Sequence, residues 1–230
     1  IKPRKSGSGY YDQFRDRLMI PIHDIQGRIM GFGSRTLGND EPKYLNSPET
    51  PLFDKGNTLF ALDKAIKAIS QQDQVVVVEG YFDAIALHAV GINQVVASLG
   101  TAFNQSQLKQ LLRYTESKQV IFNFDGDQAG IKATQRAIGE ISTLVYSGQV
   151  QLKILNLPEG KDVDEFLRTN NDGREKIEKL LNNAPLWIDW QIEQLMNIYD
   201  IKKAVHIAKF TSPIYFGENS YYGNGINKVR

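Results

Sequence analysis

The sequence predicts an α/β protein built on a parallel β-sheet flanked by helices. Short apolar, β-branched runs alternate with amphipathic segments between residues 74 and 158, which is the pattern of parallel strands joined by helical crossovers. Turn residues and basic residues are concentrated before this region, and helical periodicity dominates from residue 174. We therefore expect a smaller mixed α/β subdomain before the sheet and a helical segment after it.

The segment before the sheet is predicted to form a β-hairpin, an irregular loop and a helix. The apolar runs 17–22 and 28–36 flank the turn sequence HDIQG, which is typical of a hairpin. Residues 37–57 contain three prolines and are expected to be ordered but irregular. Residues 59–69 have the apolar spacing of a helix. The first nine residues, which are basic and rich in Gly and Ser, are expected to be flexible.

The sheet region is predicted to contain four strands. They are expected at residues 74–80, 93–100, 118–127 and 149–158, with helices at 81–91, 104–115 and 129–148 between them. The segment DVDEFLR forms a further helix, and Trp187 and Trp190 are expected in the core of the amphipathic segment WIDWQIEQLM.

The predicted elements and the local composition together divide the chain into five parts. These are a flexible basic lead (1–9), an amino-terminal basic α/β subdomain (10–73), a metal-binding sheet domain (74–170), a helical segment (171–210) and an atypical tail (211–230) rich in Tyr, Gly and Asn.

Composition limits the possible functions without identifying one. The 230 residues have a formal net charge of +1, so nucleic-acid binding would need a local basic patch. No cysteine is present, which excludes disulfides, cysteine nucleophiles and thiolate zinc sites and favours a reducing compartment. The apolar runs are too short to span a membrane, and no signal peptide is visible.

Acidic residues follow three of the predicted strands. Glu79 ends the first strand, the pair Asp125 and Asp127 ends the third, and Asp162 and Asp164 follow the fourth after a short loop; Asp83 lies one helical turn beyond Glu79. The carboxyl ends of parallel strands form the binding edge of an open sheet, so these acids are expected to lie together. A divalent cation relieves the repulsion within such a cluster, and oxygen donors without cysteine favour Mg²⁺ or Mn²⁺ over Zn²⁺.

Each acid also has a structural alternative that the sequence leaves open. Asp127 can cap the following helix, and Asp83 can complement the dipole of its helix. Asp162 and Asp164 can cap the DVDEFLR helix. Glu79 is harder to explain structurally, because it ends an apolar strand and precedes Gly80, which suggests a close backbone approach.

Several long motifs resemble known families. The segments VVVVEGYFDAIAL, FDGDQAG and DVD resemble the TOPRIM fold of topoisomerases, bacterial primases and some nucleases. Upstream, FRDRLMIPIHDIQGRIMGFGSRTLGNDEPKYLNSPETPLFDKG is similar to the RNA polymerase core of bacterial DnaG-type replicative primases. The resemblance covers residues 10 to 195, and it implies a TOPRIM-type parallel sheet as the fold of the central domain.

The resemblance implies roles for individual residues. Glu79, Asp125 and Asp127 match the catalytic metal-binding acids, Asp83 matches the last acid of the EGYxD motif, and Asp162 and Asp164 match a later acidic pair. Arg15, Arg35, Lys43 and Lys55 match positions used near nucleotide or template phosphates, and Tyr44 and Asn46 belong to the same PKYLNSPET loop. Gln13 stands where some relatives have a further arginine.

The implied activity is synthesis of short RNA primers on single-stranded DNA by metal-assisted nucleotidyl transfer. The implied partners are the DNA template, ribonucleoside triphosphates and the RNA primer, with Mg²⁺ or Mn²⁺ as cofactor and no zinc in this chain. A replicative helicase is expected to bind only through regions absent here. A cytoplasmic monomer that contacts no membrane is the default expectation.

Two other functions remain open from the sequence. A noncatalytic nucleic-acid-binding fragment is one, because a chain without cysteine lacks the zinc-binding module of complete bacterial primases. Another TOPRIM enzyme, such as a metal-dependent nuclease or topoisomerase, is the other, although the long amino-terminal match argues against it.

Overall fold

The fold was analysed in a computed structural model. It describes residues 2–4, 7–100, 103–123, 138–139, 141–158 and 161–198. The strands are β1 (Lys2–Pro3), β2 (Tyr10–Tyr11), β3 (Arg17–His23), β4 (Ile29–Thr36), β5 (Tyr44–Asn46), β6 (Gln74–Val78), β7 (Val95–Ala97), β8 (Gln119–Asn123) and β9 (Gln151–Ile154). The helices are α1 (Leu62–Gln72), α2 (Tyr81–Ala89), α3 (Gln105–Leu111), α4 (Val163–Thr169), α5 (Gly173–Asn182) and α6 (Trp187–Ile198), and residues 141–146 are also helical.

The central sheet is parallel, as predicted, with the strand order β7-β6-β8-β9. Strand β6 reads QVVVV and is buried on both faces, which explains its unbroken β-branched run. Val76 and Val78 face one hydrophobic core, and Val75 and Val77 face another. Helices therefore cover both faces of the sheet, which keeps the backbone of β6 away from water.

Each face of the sheet is covered by its own group of helices. One core includes Leu87 of α2, Phe166 of α4 and Ile177 of α5. The other includes residues of α1 and α3 together with Trp187 and Trp190, whose rings stack with centroids 5.1 Å apart. The predicted core position of both tryptophans is confirmed, since their relative exposures are 3% and 5%.

The order of the strands places a topological switch point between β6 and β8. From β6 the chain passes through α2 to β7 on one side, whereas β8 and β9 lie on the other side of β6. In open α/β sheets, ligands bind at such a point, beyond the carboxyl ends of the strands. Val78 at the end of β6 is in register with Asn123 at the end of β8, so the switch point lies directly beyond these two residues.

The predicted hairpin is confirmed and forms a second, antiparallel sheet. Strands β3 and β4 pair along their lengths, and Asp24 closes the turn by accepting hydrogen bonds from Gln26 N and Arg28 N, both at 2.9 Å. The loop expected over 37–57 differs from the prediction at one place, because Tyr44–Asn46 pairs with β4 as strand β5. The buried Ser34 hydroxyl donates to Leu45 O at 2.9 Å and fixes this pairing.

Several element boundaries differ from the sequence prediction. Helix α1 begins at Leu62, not at 59, because Phe60 exchanges two backbone hydrogen bonds with Ala97 at the edge of the central sheet and Ala61 adopts a positive φ of 62°. The expected flexible lead is in part structured, since Lys2–Pro3 pairs with Tyr10–Tyr11.

Some predictions fall on residues that the structure does not describe. They are the end of the third strand, most of the following helix and the tail 211–230. Within the described residues, every helix is too short or too polar to cross a membrane.

Asp73 joins two turns at the amino ends of β6 and β8. Its backbone is left-handed, with φ 51°, and its carboxylate accepts hydrogen bonds from Glu116 N at 2.6 Å and from Ser117 N at 3.1 Å. The Ser117 hydroxyl donates in return to Asp73 O at 2.6 Å. The hydrogen bond from the Ser117 backbone is the largest cause of a lowered pKa for Asp73.

We predict that Asp73→Asn lowers the Tm at pH 7. Asparagine tolerates the left-handed backbone, so the change removes the charge without adding strain. Because the pKa of Asp73 is lowered on folding, its ionised form stabilises the fold above its ordinary value of 3.8, and this contribution is lost as the pH falls through the folded pKa. Thermal melts should therefore show a difference from wild type that shrinks under acid conditions.

Asp40→Asn is the control, because it removes the same charge from an exposed position. It should change the Tm little at any pH. If the Tm difference between Asp73→Asn and wild type stayed constant as the pH is lowered, this would contradict the role assigned to the carboxylate.

Candidate functional site

Glu79 and Asp83 are placed at the carboxyl edge of the central sheet by the junction of β6 and α2. Glu79 follows Val78 directly, and Gly80 is the amino-terminal cap of α2. The Asp83 carboxylate turns back over this cap and accepts a hydrogen bond from Gly80 N at 3.3 Å. A Cβ on Gly80 would lie 2.9 Å from Asp83 Oδ2, so the glycine is needed for this close approach. Two half-buried carboxylates therefore lie on one helical turn at the carboxyl end of the central strand.

Tyr81 and Phe82, which follow Gly80 at the start of α2, pack against Tyr44 of β5. We call these three residues the aromatic joint. The Tyr44 ring centroid lies 5.9 Å from that of Tyr81 and 5.9 Å from that of Phe82. The Tyr81 hydroxyl donates to Ser34 O in β4 at 3.0 Å. The start of α2 is thus fixed against strands β4 and β5.

The Tyr81 side chain fits beneath β4 because Gly33 has no side chain. A Cβ on Gly33 would lie 2.9 Å from Tyr81 Cε1. Burial, with a smaller contribution from Tyr44, raises the pKa of Tyr81 to about 12. The phenol is therefore protonated at neutral pH and remains a hydrogen-bond donor to Ser34 O.

Two of the predicted phosphate-binding cations lie against the aromatic joint. The Arg35 guanidinium lies 5.8 Å from the Phe82 ring centroid, and Lys43 Nζ lies 5.4 Å from that of Tyr44. Both side chains are exposed, and among the described residues neither forms an ion pair with a carboxylate. The structure thus brings Arg35, Lys43 and Tyr44 together with the helix that begins beside Glu79.

The other predicted nucleotide-binding residues make different contacts. The exposed Arg15 lies over the Tyr11 ring at 5.5 Å, and the backbone of the half-buried Lys55 donates to the Glu49 carboxylate at 3.2 Å. Asn46 Nδ2 donates to Leu99 O at 3.4 Å, in the turn after β7. Asn46 therefore connects the PKYLN strand to the same edge of the central sheet. The Asn46 carbonyl accepts from Gln13 Nε2 at 3.3 Å, which gives Gln13 a structural contact.

Three residues of the site were missed as functional residues by sequence reasoning. Tyr81 and Phe82 are aromatic residues directly after Glu79 and Gly80. Their position beside a predicted metal ligand is the sequence feature that could have indicated them. Arg17 donates to Pro42 O at 2.7 Å and to Lys43 O at 3.4 Å, so it fixes the backbone of the lysine. No local pattern indicates that contact, because the partners are 25 and 26 residues apart.

The later acids have structural contacts in the described residues. Asp162 Oδ1 accepts from Glu165 N at 2.7 Å and caps α4, which agrees with the capping alternative. Asp164 forms an exposed ion pair with Arg168 at 3.0 Å. Asp125 and Asp127 lie outside the described residues. Within the part of the chain that is described, no group of three or more acidic or histidine side chains is close enough to hold a metal.

Glu79 and Asp83 are donors of the type that a hard divalent cation prefers, although two carboxylates alone would not complete a metal site. Glu79 and Asp83 offer carboxylate oxygens, and the chain has no cysteine to select a softer metal. The amino terminus of α2 is already occupied by the Asp83 carboxylate, which orients one donor toward the strand end. A cation bound here would need further ligands from other acids or from substrate phosphates.

Comparison with known proteins gives two family matches. A model described as DNA primase catalytic core, N-terminal domain, matches residues 1–66, and a model described as Toprim-like matches residues 76–167. The first match ends within α1, and the second begins within β6, the first strand of the parallel sheet.

Individual relatives are similar over most of this chain. A DNA primase from Synechocystis sp. is 62% identical over 202 residues, which is 88% of this chain and 32% of that protein. The chain therefore spans about a third of the length of this curated relative.

Solved structures of primase catalytic domains are similar to this chain as well. The RNA polymerase domain of Mycobacterium tuberculosis primase DnaG is 32% identical with a TM-score of 0.77, and the match covers 91% of this chain and 69% of that domain. A DnaG primase catalytic domain bound to ssDNA is 37% identical with a TM-score of 0.75, covering 88% of this chain and 65% of that one. The resemblance indicated by the motifs is confirmed: the chain belongs to the family of DnaG-type primases and contains much of their TOPRIM catalytic core.

Proposed function

We propose that this chain is the catalytic part of a DNA-dependent RNA polymerase that makes short RNA primers on single-stranded DNA. The observation that supports this most directly is the aromatic joint, because it places Arg35 and Lys43 beside the helix that begins next to Glu79. Nucleotidyl transfer needs both a carboxylate site for metal and cations for phosphates. Membership in the DnaG family supports the same activity.

The acids are proposed to hold Mg²⁺ or Mn²⁺ at the carboxyl edge of the sheet. Glu79, Asp125 and Asp127 are the central ligands in this proposal, and Asp83, Asp162 and Asp164 complete the coordination or order its waters. Bound metal would lower the pKa of the attacking 3′ hydroxyl and neutralise the charge of the leaving pyrophosphate. The Asp83 contact with Gly80 N keeps that carboxylate oriented toward the strand end.

The basic residues are proposed to bind phosphates of the incoming ribonucleoside triphosphate and of the template. Arg35 and Lys43 are exposed and rest on aromatic rings, which limits their motion without neutralising their charge. Tyr44 is 47% exposed and can pack against a sugar or base. Arg15, Lys55 and Asn46 are proposed as further nucleotide contacts. The ssDNA-bound relative supports single-stranded DNA as the template.

In the same proposal the chain acts as a monomer in the cytoplasm, and any helicase contact is made by regions outside the family core.

We predict that Glu79→Gln and Asp125→Asn each lower ribonucleotide incorporation at least about 100-fold, since loss of a metal ligand exceeds the effect of losing an outer-shell partner. Both changes are isosteric, so the Tm should stay near that of wild type. Incorporation is measured on a single-stranded template with Mg²⁺ or Mn²⁺, and EDTA should abolish it. Glu116→Gln, an exposed acid at the opposite edge of the sheet, is the control and should retain activity.

Activity retained in Asp125→Asn would contradict the metal site. A folded wild-type chain that binds DNA but incorporates nothing would favour the noncatalytic alternative, and metal-dependent cleavage of the template would favour a nuclease.

We predict that Lys43→Gln weakens binding of a single-stranded oligonucleotide and reduces its salt dependence. Losing one phosphate contact should lower the slope of log Kobs against log salt concentration by about 0.7 for a single strand. Fluorescence anisotropy at several salt concentrations measures this slope. The exposed Lys67→Gln on α1 removes the same charge on another face and should leave the slope unchanged. An unaltered slope in Lys43→Gln would rule out a phosphate contact at that position.

A further inference from the structure

The loop that follows Lys55 is held by three side-chain amides at the start of α3 and along it. The amide residues lie three positions apart in the chain, so they share one side of the helix. They donate to the carbonyls of three consecutive loop residues: Asn104 Nδ2 to Gly56 O at 2.5 Å, Gln107 Nε2 to Thr58 O at 3.1 Å, and Gln110 Nε2 to Asn57 O at 2.9 Å. We call these three side chains the amide ladder; it joins segments that are 48 to 53 residues apart in the sequence.

The capping box of α3 orients two of these amides toward the loop. Asn104 Oδ1 accepts from Gln107 N at 3.0 Å, and Gln107 Oε1 accepts from Asn104 N at 3.1 Å. Each amide oxygen is therefore used by the helix terminus, which leaves each NH2 group to donate elsewhere. Gln107 has a relative exposure of 0%, so leaving its NH2 group without the acceptor Thr58 O would cost stability.

Lys55 occupies the turn that the amide ladder holds. Asp54 O accepts from Asn57 N at 3.2 Å, which closes a four-residue turn with Lys55 at its second position. Thr58 Oγ1 also donates to Asp54 O, at 2.5 Å. On the other side, Lys55 N donates to the Glu49 carboxylate at 3.2 Å. The backbone of Lys55 is thus fixed on both sides, while its ammonium group forms no ion pair with any described residue.

The amide ladder attaches this turn to the parallel sheet on the face opposite the aromatic joint. Leu108 and Leu111 of α3 are fully buried in the core that Val75 and Val77 of β6 face. Tyr81 of the aromatic joint belongs to the other core. Two separate attachments therefore connect the basic segment to the parallel sheet, one on each face.

We propose that the amide ladder positions Lys55 for contact with a phosphate, so that its three residues act on ligand binding through that lysine. The inference rests on the phosphate-binding role proposed above for Lys55. A turn that is fixed before the ligand arrives loses less entropy on binding, so loosening it should lower affinity without any change of charge. The phosphate belongs either to the template strand or to the ribonucleoside triphosphate, and the test separates these sources.

The test uses Asn104→Ser/Gln110→Met, a double variant that removes two donors of the amide ladder. Serine retains an oxygen that can cap α3, and neither change alters the net charge. The full chain is titrated with a fluorescein-labelled single-stranded oligonucleotide, followed by anisotropy, and with ATP and Mg²⁺, followed by calorimetry. Lys55→Gln identifies the probe whose phosphate the lysine contacts. The double variant should weaken binding of that same probe roughly fivefold, as expected for residues coupled in one hydrogen-bond network.

Two readouts distinguish positioning from a general loss of stability. In the Lys55→Gln background the double variant should cause no further loss of affinity, because both changes act through the same ammonium group. If the oligonucleotide is the affected probe, the salt dependence of its binding should fall toward that of Lys55→Gln, although the double variant removes no charge.

Gln119→Met is the matched control. It removes another long-range amide hydrogen bond, from Gln119 Nε2 to Gln74 Oε1 at 2.7 Å, at the amino ends of β6 and β8. It should lower the Tm and leave the affinities for both probes unchanged.

Three results would overturn the inference. If Lys55→Gln bound both probes like wild type, the phosphate role of Lys55 would fail and the inference with it. If Lys55→Gln weakened a probe and the double variant did not, the inference alone would fail. A further loss of affinity on adding the double variant to Lys55→Gln would show that the amides act independently of the lysine. None of these measurements requires ribonucleotide incorporation, so a failure of the proposed polymerase activity is detected separately.

Discussion

The arrangement of the site depends on how Tyr81 fits beneath strand β4. Its hydroxyl bonds to Ser34 O, and its ring occupies the space that a side chain on Gly33 would fill. Tyr81 is also the first residue of α2, two positions after Glu79. The Tyr81 contact therefore helps to set the position of the basic hairpin sheet relative to the acidic end of the parallel sheet. The Tyr44–Phe82 ring contact and the hydrogen bond from Asn46 to Leu99 O act in the same place.

The parallel sheet explains why the carboxylates can lie at this edge. Strand β6 is buried on both faces, so a charged side chain can follow it only where the chain leaves the sheet. The strand order places the topological switch point of the sheet between β6 and β8, which is where ligands bind in open α/β sheets. The capping contact between Asp83 and Gly80 N then turns a second carboxylate toward the strand end. The same features that terminate the strand thus position the oxygen donors of the proposed cation site.

The sequence predicted the parts of the fold that depend on local patterns. The valine run of β6, the hairpin β3–β4 and the tryptophan helix each have a period or a turn that identifies them. Strand β5 and the late start of α1 were not predicted, because they depend on Ser34 and Ala97, which are distant in sequence. Among the residues at this edge, Glu79 is predicted as a metal ligand from its position after an apolar strand, and this stays a prediction, whereas the contact of Tyr81 with β4 has no local sequence pattern. The contacts of Asp125 and Asp127 stay predictions, because these residues lie outside the described part of the chain.

The most direct test compares two glycine variants of strand β4. Gly33→Ala would place a methyl group 2.9 Å from the Tyr81 ring, whereas Gly31→Ala would place one 3.1 Å from the Phe53 ring, away from the aromatic joint. Both variants crowd the same hairpin, so their Tm values calibrate the general loss of stability. If the Tyr81 contact aligns cations with carboxylates, kcat/KM for ribonucleotide incorporation falls much further in Gly33→Ala than in Gly31→Ala. Equal kcat/KM values in the two variants at matched stability would contradict the account.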